Sequence, residues 1–324
     1  MTDTTLTPAA DSRKRMTNKD ARLRTFRVKT VRIVFIAAAL AAILALVGTV
    51  LMRVVQTGSL PSGPVVQGEN LVIENPRFVG RAKDGAKIIV TAESATRSMT
   101  DDTAAVTLKN PKLETGDGSK ATAQSGSWSQ ADQSLSLAGE VVLTREGGDR
   151  ATSGRAVWTS ASSQLTMSDG VALTRQTGDS ARSDQAIWST DPSQLMVSGN
   201  VTLNRADGAR ATSKSAVWRS DIGALDLAGG TNINLPTGES AYAQSARWDD
   251  RSGDIRLDGQ AVVRFQAGQA SSARALYQGA TGQVSGDGGI QITSSLGTGS
   301  ADRYVYQTKS KKLSLSGNAR ATLR

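Results

Sequence analysis

The sequence has no cysteine and no histidine, and aromatic residues make up only 4% of its 324 residues. Without cysteine there is no disulfide, no thiolate nucleophile and no zinc cluster held by thiolates. Without histidine the chain lacks the commonest general base and the commonest ligand of transition metals. The acidic residues are scattered through predicted turns, and neither a phosphate-binding loop nor a nucleophile elbow is present. We therefore expect no enzymatic activity, no cofactor and no bound metal.

Positive charge is concentrated near the N-terminus. The chain has 38 Lys and Arg against 29 Asp and Glu, a net charge of +9. Residues 1–53 hold ten basic and three acidic side chains, a net of +7, which leaves 28 basic and 26 acidic groups, a net of +2, for residues 54–324. A groove that follows nucleic-acid phosphates needs the opposite distribution. We expect no binding to nucleic acid.

A long apolar segment follows the basic residues. From Ile33 to Met52 the chain has twenty residues without a charge, and a helix of that length spans roughly the 30 Å of a bilayer's hydrocarbon core. Among the residues that flank this segment, Lys and Arg lie almost entirely upstream, with only Arg53 close on the other side, which predicts a cytoplasmic N-terminus and export of the remainder. A cleaved signal peptide would have a shorter apolar region and a small-residue cleavage site, so an uncleaved anchor is favoured.

The rest of the chain is organised by an internal repeat. An aliphatic residue follows each aromatic position by seven residues, and a glycine follows by eleven, shifted by one residue in the second unit. So many positions in phase indicate a repeat fold. The aromatic positions are spaced by 30 residues and at the end by 29: Trp128, Trp158, Trp188, Trp218, Trp248, Tyr277 and Tyr306.

Apolar residues alternate with polar ones within each unit, which is typical of β-strands. In one unit, residues 151–158 form a predicted strand, and residues 164–167 and 171–175 form a second strand that runs back along it and is bent at Asp169–Gly170. Glycine at the bend allows a positive φ or a bulge, so one strand can pass from one sheet to another. Short turns between successive strands predict antiparallel pairing.

Residues 75–95, NPRFVGRAKDGAKIIVTAESA, resemble the start of the LptC-type periplasmic proteins of lipopolysaccharide export. The repeat resembles the OstA-like repeat shared by LptA and LptC. Its pattern is a small residue, any residue and Trp, followed by Leu-x-Leu-x-Gly-x-Val-x-Leu. The resemblance covers about residues 31–324. It implies an all-β fold, an elongated antiparallel β-jellyroll rod preceded by one transmembrane helix. The expected divisions are a disordered basic cytoplasmic tail (1–30), a transmembrane anchor helix (31–55), a linker (56–70) and a periplasmic jellyroll (71–324).

The resemblance also implies partners. Proteins of this type receive lipopolysaccharide from an LptBFG-type ABC transporter in the inner membrane. They pass it to an LptA-like periplasmic protein by strand addition at the C-terminal edge. The N-terminal end of the jellyroll is expected to face the transporter, and Gly85, in a predicted tight turn, is expected to constrain the backbone at that junction. Family members are commonly shorter, which leaves open whether the extra repeats replace part of the LptA bridge.

Apolar alternation by itself is more typical of a packed core than of a lipid groove. The resemblance implies that the aliphatic positions line a groove for acyl chains. We expect the tryptophans to be structural aromatics that could also edge the groove. Arg145, Arg175 and Arg205 recur at the same spacing, either to contact lipid phosphates or to form a solvated charged edge. The expected lipid-binding residues are Leu135, Leu137, Val141, Leu143, Leu165, Met167, Leu173, Leu195, Val197, Leu203, Leu225 and Leu227.

The sequence therefore predicts a single-pass inner-membrane protein that binds lipopolysaccharide in the periplasm and relays it. The alternative is a tethered β-solenoid, an envelope scaffold or signalling module that binds protein and no lipid. The interior distinguishes the two hypotheses, because a carrier needs an apolar space reachable from one side and a scaffold needs none.

Overall fold

The computed structural model describes residues 65–323, apart from residues 82–86 and 101–104 and single positions at 117, 130, 133, 160, 163, 191, 220 and 267. The predicted tail (1–30), the predicted anchor (31–55) and Gly85 lie outside the described residues. Within them every regular element is a β-strand, and none of the described segments forms a helix that could span a membrane. The expected all-β antiparallel class is confirmed.

Twenty-five strands follow one another along the described residues. They are β1 Val65–Gln67, β2 Asn70–Glu74, β3 Arg77–Arg81, β4 Lys87–Thr91, β5 Ser94–Ser98, β6 Val106–Lys109, β7 Lys112–Thr115, β8 Lys120–Thr122, β9 Ser125–Ser129, β10 Ser134–Thr144, β11 Arg150–Thr159, β12 Gln164–Ser168, β13 Val171–Thr174, β14 Ser180–Ser183, β15 Gln185–Thr190, β16 Ser193–Asn204, β17 Arg210–Arg219, β18 Ala224–Asn234, β19 Ser240–Asp249, β20 Ile255–Phe265, β21 Gly268–Gln278, β22 Gln283–Ser294, β23 Gly297–Gln307, β24 Lys312–Ser316 and β25 Arg320–Leu323.

The strands form two antiparallel ladders that share their long strands. One ladder, here called the Trp layer, runs through β9, β10, β11, β12, β15 and β16 and ends at β24. The other, here called the opposite layer, runs through β8, β10, β11, β13, β14 and β16 and ends at β25. Strands such as β10 and β11 therefore contribute one half to each layer, and the chain passes between layers at a corner.

Strands that lead from the Trp layer into the opposite layer, here called outgoing strands, turn this corner at the repeated glycine. In β10 the pairing with β11 is interrupted around Gly139 and Glu140, which have φ of +78° and +48°. Asp169 and Gly170, at +64° and +81°, make the same bend between β12 and β13, as the sequence predicts. Glycine adopts these angles without the steric cost that a Cβ brings, and two such residues form a bulge that redirects the strand. This conformational need explains why glycine recurs in every unit.

Strands that lead from the opposite layer back to the Trp layer, here called returning strands, turn the corner differently. Four of them use a serine hydrogen bond that sequence reasoning did not find. In each of these four strands a buried serine donates a hydrogen bond from its Oγ to the carbonyl oxygen two residues on. The bonds are Ser153 to Arg155 at 2.9 Å, Ser183 to Gln185 at 3.0 Å, Ser213 to Ser215 at 2.9 Å and Ser272 to Arg274 at 2.9 Å.

Interior side chains form cross-strand rows of alternating size. Near the corner, Leu137 pairs with Ala156, which pairs in turn with Met167. In the opposite layer Ala151 lies between Leu143 and Leu173. Because a small residue on each returning strand faces a large one on each outgoing strand, the inward surfaces of the layers are corrugated rather than uniformly bulky. One hydrophobic core runs through all the repeats.

Candidate functional site

The two layers meet again on the side opposite the corner, where the chain reverses. There Arg205, in a turn of the opposite layer, lies 4.8 Å above the ring of Trp248 and donates a hydrogen bond to Asp250 in a turn of the Trp layer at 3.4 Å. Glu239 and Lys311 connect the two layers in the same way farther along. We call the line along which the two rows of turns face each other the mouth.

All the predicted lipid-binding residues belong to the apolar interior, but their burial differs. Four of them are only half-buried, and all four lie in the rows nearest the mouth: Leu173, Leu195, Leu203 and Leu225. The other eight are buried: Leu135, Leu137, Val141, Leu143, Leu165, Met167, Val197 and Leu227. The interior is therefore closed around residues 135–167 and reachable from the mouth around residues 173–225.

The tryptophans alternate with aliphatic residues along the mouth side of the Trp layer. Trp218, for example, pairs with Leu195 on one neighbouring strand and with Leu225 on the other. The five rings are buried, with exposed fractions of 2% to 8%. Their polar atoms are not all satisfied, since the indole nitrogens of Trp158, Trp188, Trp218 and Trp248 are buried without a hydrogen-bond partner.

Two of the three recurring arginines, Arg175 and Arg205, belong to ion-paired turns of the opposite layer. Arg175 contacts Asp179 at 3.0 Å, and Arg205 contacts Asp207 at 3.2 Å in addition to Asp250. Burial raises the pKa of Asp250, and Arg205 offsets part of that rise. These two arginines are thus committed to carboxylates of the protein and form neither a solvated edge nor a free phosphate site.

Aspartates at the ends of these turns hold successive repeats together. The Oδ1 of Asp149 accepts a hydrogen bond from the backbone N–H of Gln176 at 2.9 Å, and Asp179 accepts one from Ala206 at 2.9 Å. Burial would raise the pKa of Asp179, but the bond from Ala206 and the nearby arginines hold it below its usual value. The turns of residues 145–149, 175–179 and 205–209 therefore form one connected row.

The next turn, residues 235–239, departs from this pattern. Leu235 stands where the earlier turns have arginine, and Glu239 stands where the first two have aspartate. The side chain of Glu239 is only 3% exposed. Its Oε1 lies 2.6 Å from Lys311 Nζ and 3.4 Å from the hydroxyl of Tyr306, whereas its Oε2 has no hydrogen-bond partner. This carboxylate thus reaches across the mouth rather than along the row of turns.

A small cavity of about 30 Å³ adjoins this turn. That volume suits about one or two water molecules and is too small for an acyl chain. Sequence reasoning placed the binding region at residues 135–227 and missed this position. The available signal in the sequence was that Leu235 replaces the recurring arginine and Glu239 replaces the recurring aspartate. The cavity is lined by Ile233, Leu235, Glu239, Ser240, Ala241, Ile255, Leu257, Val263, Tyr277 and Val284.

The described residues offer no alternative site for metal chemistry, because they contain no group of three or more acidic residues placed to hold an ion. The candidate site is therefore the mouth and the apolar interior behind it, from residue 173 to residue 284.

Neither a family model nor a curated protein matches this chain. Among solved structures, one similar chain is the crystal structure of LptH, described as the LptA homologous periplasmic component of the conserved lipopolysaccharide transport device from Pseudomonas aeruginosa. The alignment has 9% identity and a TM-score of 0.23, and covers 46% of this chain and 96% of LptH. A likeness at this TM-score supports no inference about function, so the proposals below depend on the chain's own residues.

Proposed function

We propose that this chain is a carrier that holds the acyl chains of lipopolysaccharide between its two layers, with the sugars and phosphates outside the mouth. The observation that carries the proposal is the set of half-buried aliphatic residues on both sides of the mouth, Leu195 and Leu225 on the Trp layer and Leu173 and Leu203 on the opposite layer. Apolar surface that is reachable along one line but shielded elsewhere suits the tail of an amphiphile.

The finer parts of the proposal come from the sequence. The apolar segment of residues 33–52 and the basic residues before it support an inner-membrane anchor with the repeats in the periplasm. The resemblance to LptC-type proteins supports receipt of lipid from an LptBFG-type transporter and transfer to an LptA-like protein at the C-terminal edge. At that edge β25 pairs only with β23 among the described strands, which leaves backbone groups for strand addition.

A second function, a protein-binding scaffold without lipid, is favoured by a different observation. Around residues 135–167 the interior is fully packed, with Leu135, Leu137 and Val141 each 0% exposed. If the whole rod behaved in this way, it would have no room for a lipid tail. The two functions therefore predict opposite results at the half-buried positions.

Photo-crosslinking distinguishes them. A photoreactive amino acid replaces either Leu195 or Thr166. Leu195 is half-buried at the mouth, whereas Thr166 faces outward because its neighbours Leu165 and Met167 face the interior. A carrier is captured on lipopolysaccharide from Leu195 and not from Thr166. Equal capture from both sites, or capture from neither, contradicts the carrier and supports the scaffold.

A further inference from the structure

Building on the proposed function, we propose that the cavity behind residues 235–239 is an acyl-chain site and that the Glu239–Lys311 pair is a latch that closes it. The site takes one hydrocarbon tail of an amphiphile. It lies beyond the region that the repeat pattern marks as a groove, and it uses residues that break that pattern.

The repeat changes locally at the turn that adjoins the cavity. At residues 145–149 and 175–179 the turn carries arginine at its first position and aspartate at its last, and these aspartates bind the following turn. At residues 235–239 the corresponding Leu235 and Glu239 both line the cavity. Leu235 replaces the arginine of the earlier turns and adds apolar surface to the cavity wall. Glu239 replaces the aspartate, and its longer side chain reaches Lys311 on the other side of the mouth.

The Glu239–Lys311 pair joins the two layers across the mouth. Glu239 belongs to the opposite layer and Lys311 to a turn of the Trp layer, 72 residues farther along the chain, and their charged atoms are 2.6 Å apart. The ring of Tyr306 stacks on Phe265 with centroids 4.8 Å apart, so both layers also meet through aromatic packing beside the latch. A buried carboxylate that loses its cationic partner becomes strongly unfavourable, so the latch is held closed until an incoming group compensates for its opening.

The cavity is continuous with the half-buried rows at the mouth. In the opposite layer Leu203 pairs with Ala211, which pairs with Ile233 in the cavity wall. A parallel path crosses the Trp layer from Leu225 through Trp248 to Ile255, which also lines the cavity. An acyl chain that enters at residues 195–225 therefore meets apolar rows that lead to the cavity, with the guanidinium of Arg205 lying over the ring of Trp248 between them.

The occupant follows from the lining. Aliphatic side chains and the ring of Tyr277 make up most of the wall, and Glu239 is its one charged residue. At about 30 Å³ the cavity has to widen before a tail fits, and the latch spans the side on which the layers can separate. Lys311 keeps 41% of its side chain exposed, so its ammonium group can exchange Glu239 for an anionic headgroup as the tail enters.

A reversible cross-link tests this inference. The natural chain has no cysteine, so Glu239→Cys and Lys311→Cys provide two unique thiols. They are joined by a bifunctional thiol reagent with a reducible centre. A photoreactive residue at Leu257, in the cavity wall, or at Leu195 then reports capture of lipopolysaccharide. The control has its cysteines at Glu93 and Lys109, an exposed pair 2.5 Å apart away from the mouth.

We expect the cross-link to reduce capture at Leu257 several-fold, to leave capture at Leu195 unchanged, and to lose its effect after reduction. The control cross-link should change neither. Capture at Leu257 that is equal with and without the cross-link overturns the latch while the carrier function stands. Capture from neither position in the open protein counts against the carrier function and the latch together.

A single substitution provides a second test that needs no cross-link. Lys311→Ala leaves Glu239 buried without its cation, so the mouth should open and capture at Leu257 should rise relative to the exposed neighbour variant Lys312→Ala. Circular dichroism establishes that both variants are folded. Equal capture by the two folded variants contradicts the latch.

Discussion

Gly286 and Tyr304 face each other across the ladder of β22 and β23 with their sizes exchanged relative to the preceding repeats. One repeat earlier, the corresponding pair is Leu257 and Ala275, with the large residue on the outgoing strand. A Cβ on Gly286 would collide with the ring of Tyr304, which is fully buried. The interior volume is thus kept constant although the residue types change sides.

This exchange predicts a compensating double mutant. Gly286→Leu alone should destabilise the fold by about 3 kcal/mol or more, because it overpacks the interior against Tyr304. Adding Tyr304→Ala should restore most of that loss, because the pair then matches Leu257 and Ala275. Urea unfolding of the two single variants and the double variant measures the coupling. Additive losses would mean that the two side chains do not share one space.

The corner predicts a different response at Gly170. Its φ is +81° and a Cβ there would meet no atom within 4 Å, so backbone conformation alone is at stake. Gly170→Ala should cost about 1 kcal/mol, and Gly170→Asn less, because asparagine tolerates this region. Asn200 and Asn318 already occupy the bend in other repeats, at φ +50° and +43°. Thermal unfolding checks the order, with Gly147→Ala as the control whose φ is not positive; equal losses for alanine and asparagine would contradict it.

The unpaired indole groups predict a mild effect of a large substitution. Trp188 is 2% exposed, and its Nε1 is buried without a partner. Trp188→Phe loses ring volume but also removes an unsatisfied donor, whose burial costs about 1–3 kcal/mol. We expect a net loss of less than about 2 kcal/mol in urea unfolding, compared with about 2–5 kcal/mol for Leu165→Ala. A loss for Trp188→Phe equal to that of Leu165→Ala would show that the indole nitrogen has a partner.

The latch predicts a dependence of stability on pH. Burial alone would raise the pKa of Glu239, but the hydrogen bonds to its carboxylate, the strongest of them from Lys311, and the positive charge of Lys311 together outweigh burial and hold the pKa below the usual 4.5. A carboxyl with a lowered pKa in the folded state contributes stability above its unfolded pKa and loses it as pH falls through the folded value. The free energy of unfolding of the natural chain should therefore exceed that of Glu239→Gln at neutral pH. The difference should shrink below a pH of about 4.5, and a constant difference down to pH 3 would contradict the assignment.

Periodicity was sufficient to predict the strands, the antiparallel pairing and the glycine corner. The alternation of apolar and polar residues and the positions of glycine can be read directly along the chain. The bend at Asp169–Gly170 is an example. The serine bonds at the returning corners are local, and the recurrence of serine at residues 153, 183 and 213 was the available signal for them. The contact of Arg205 with Trp248 could not be predicted, because it depends on which residues meet across the layers. The same reason hid the cavity, whose walls come from β18 to β22. The exposure of the inward residues also could not be predicted, because it depends on the distance between the two rows of turns at the mouth.

The central claim is that acyl chains lie between the layers, and the five tryptophans test it without any substitution. All of them belong to the Trp layer beside the mouth, where a bromine atom on an acyl chain would quench their fluorescence by contact. Titration with an amphiphile that carries brominated acyl chains is compared with the same amphiphile without bromine. The account predicts strong quenching by the brominated form only. Equal emission with both forms, at concentrations where binding is measured independently, would contradict it.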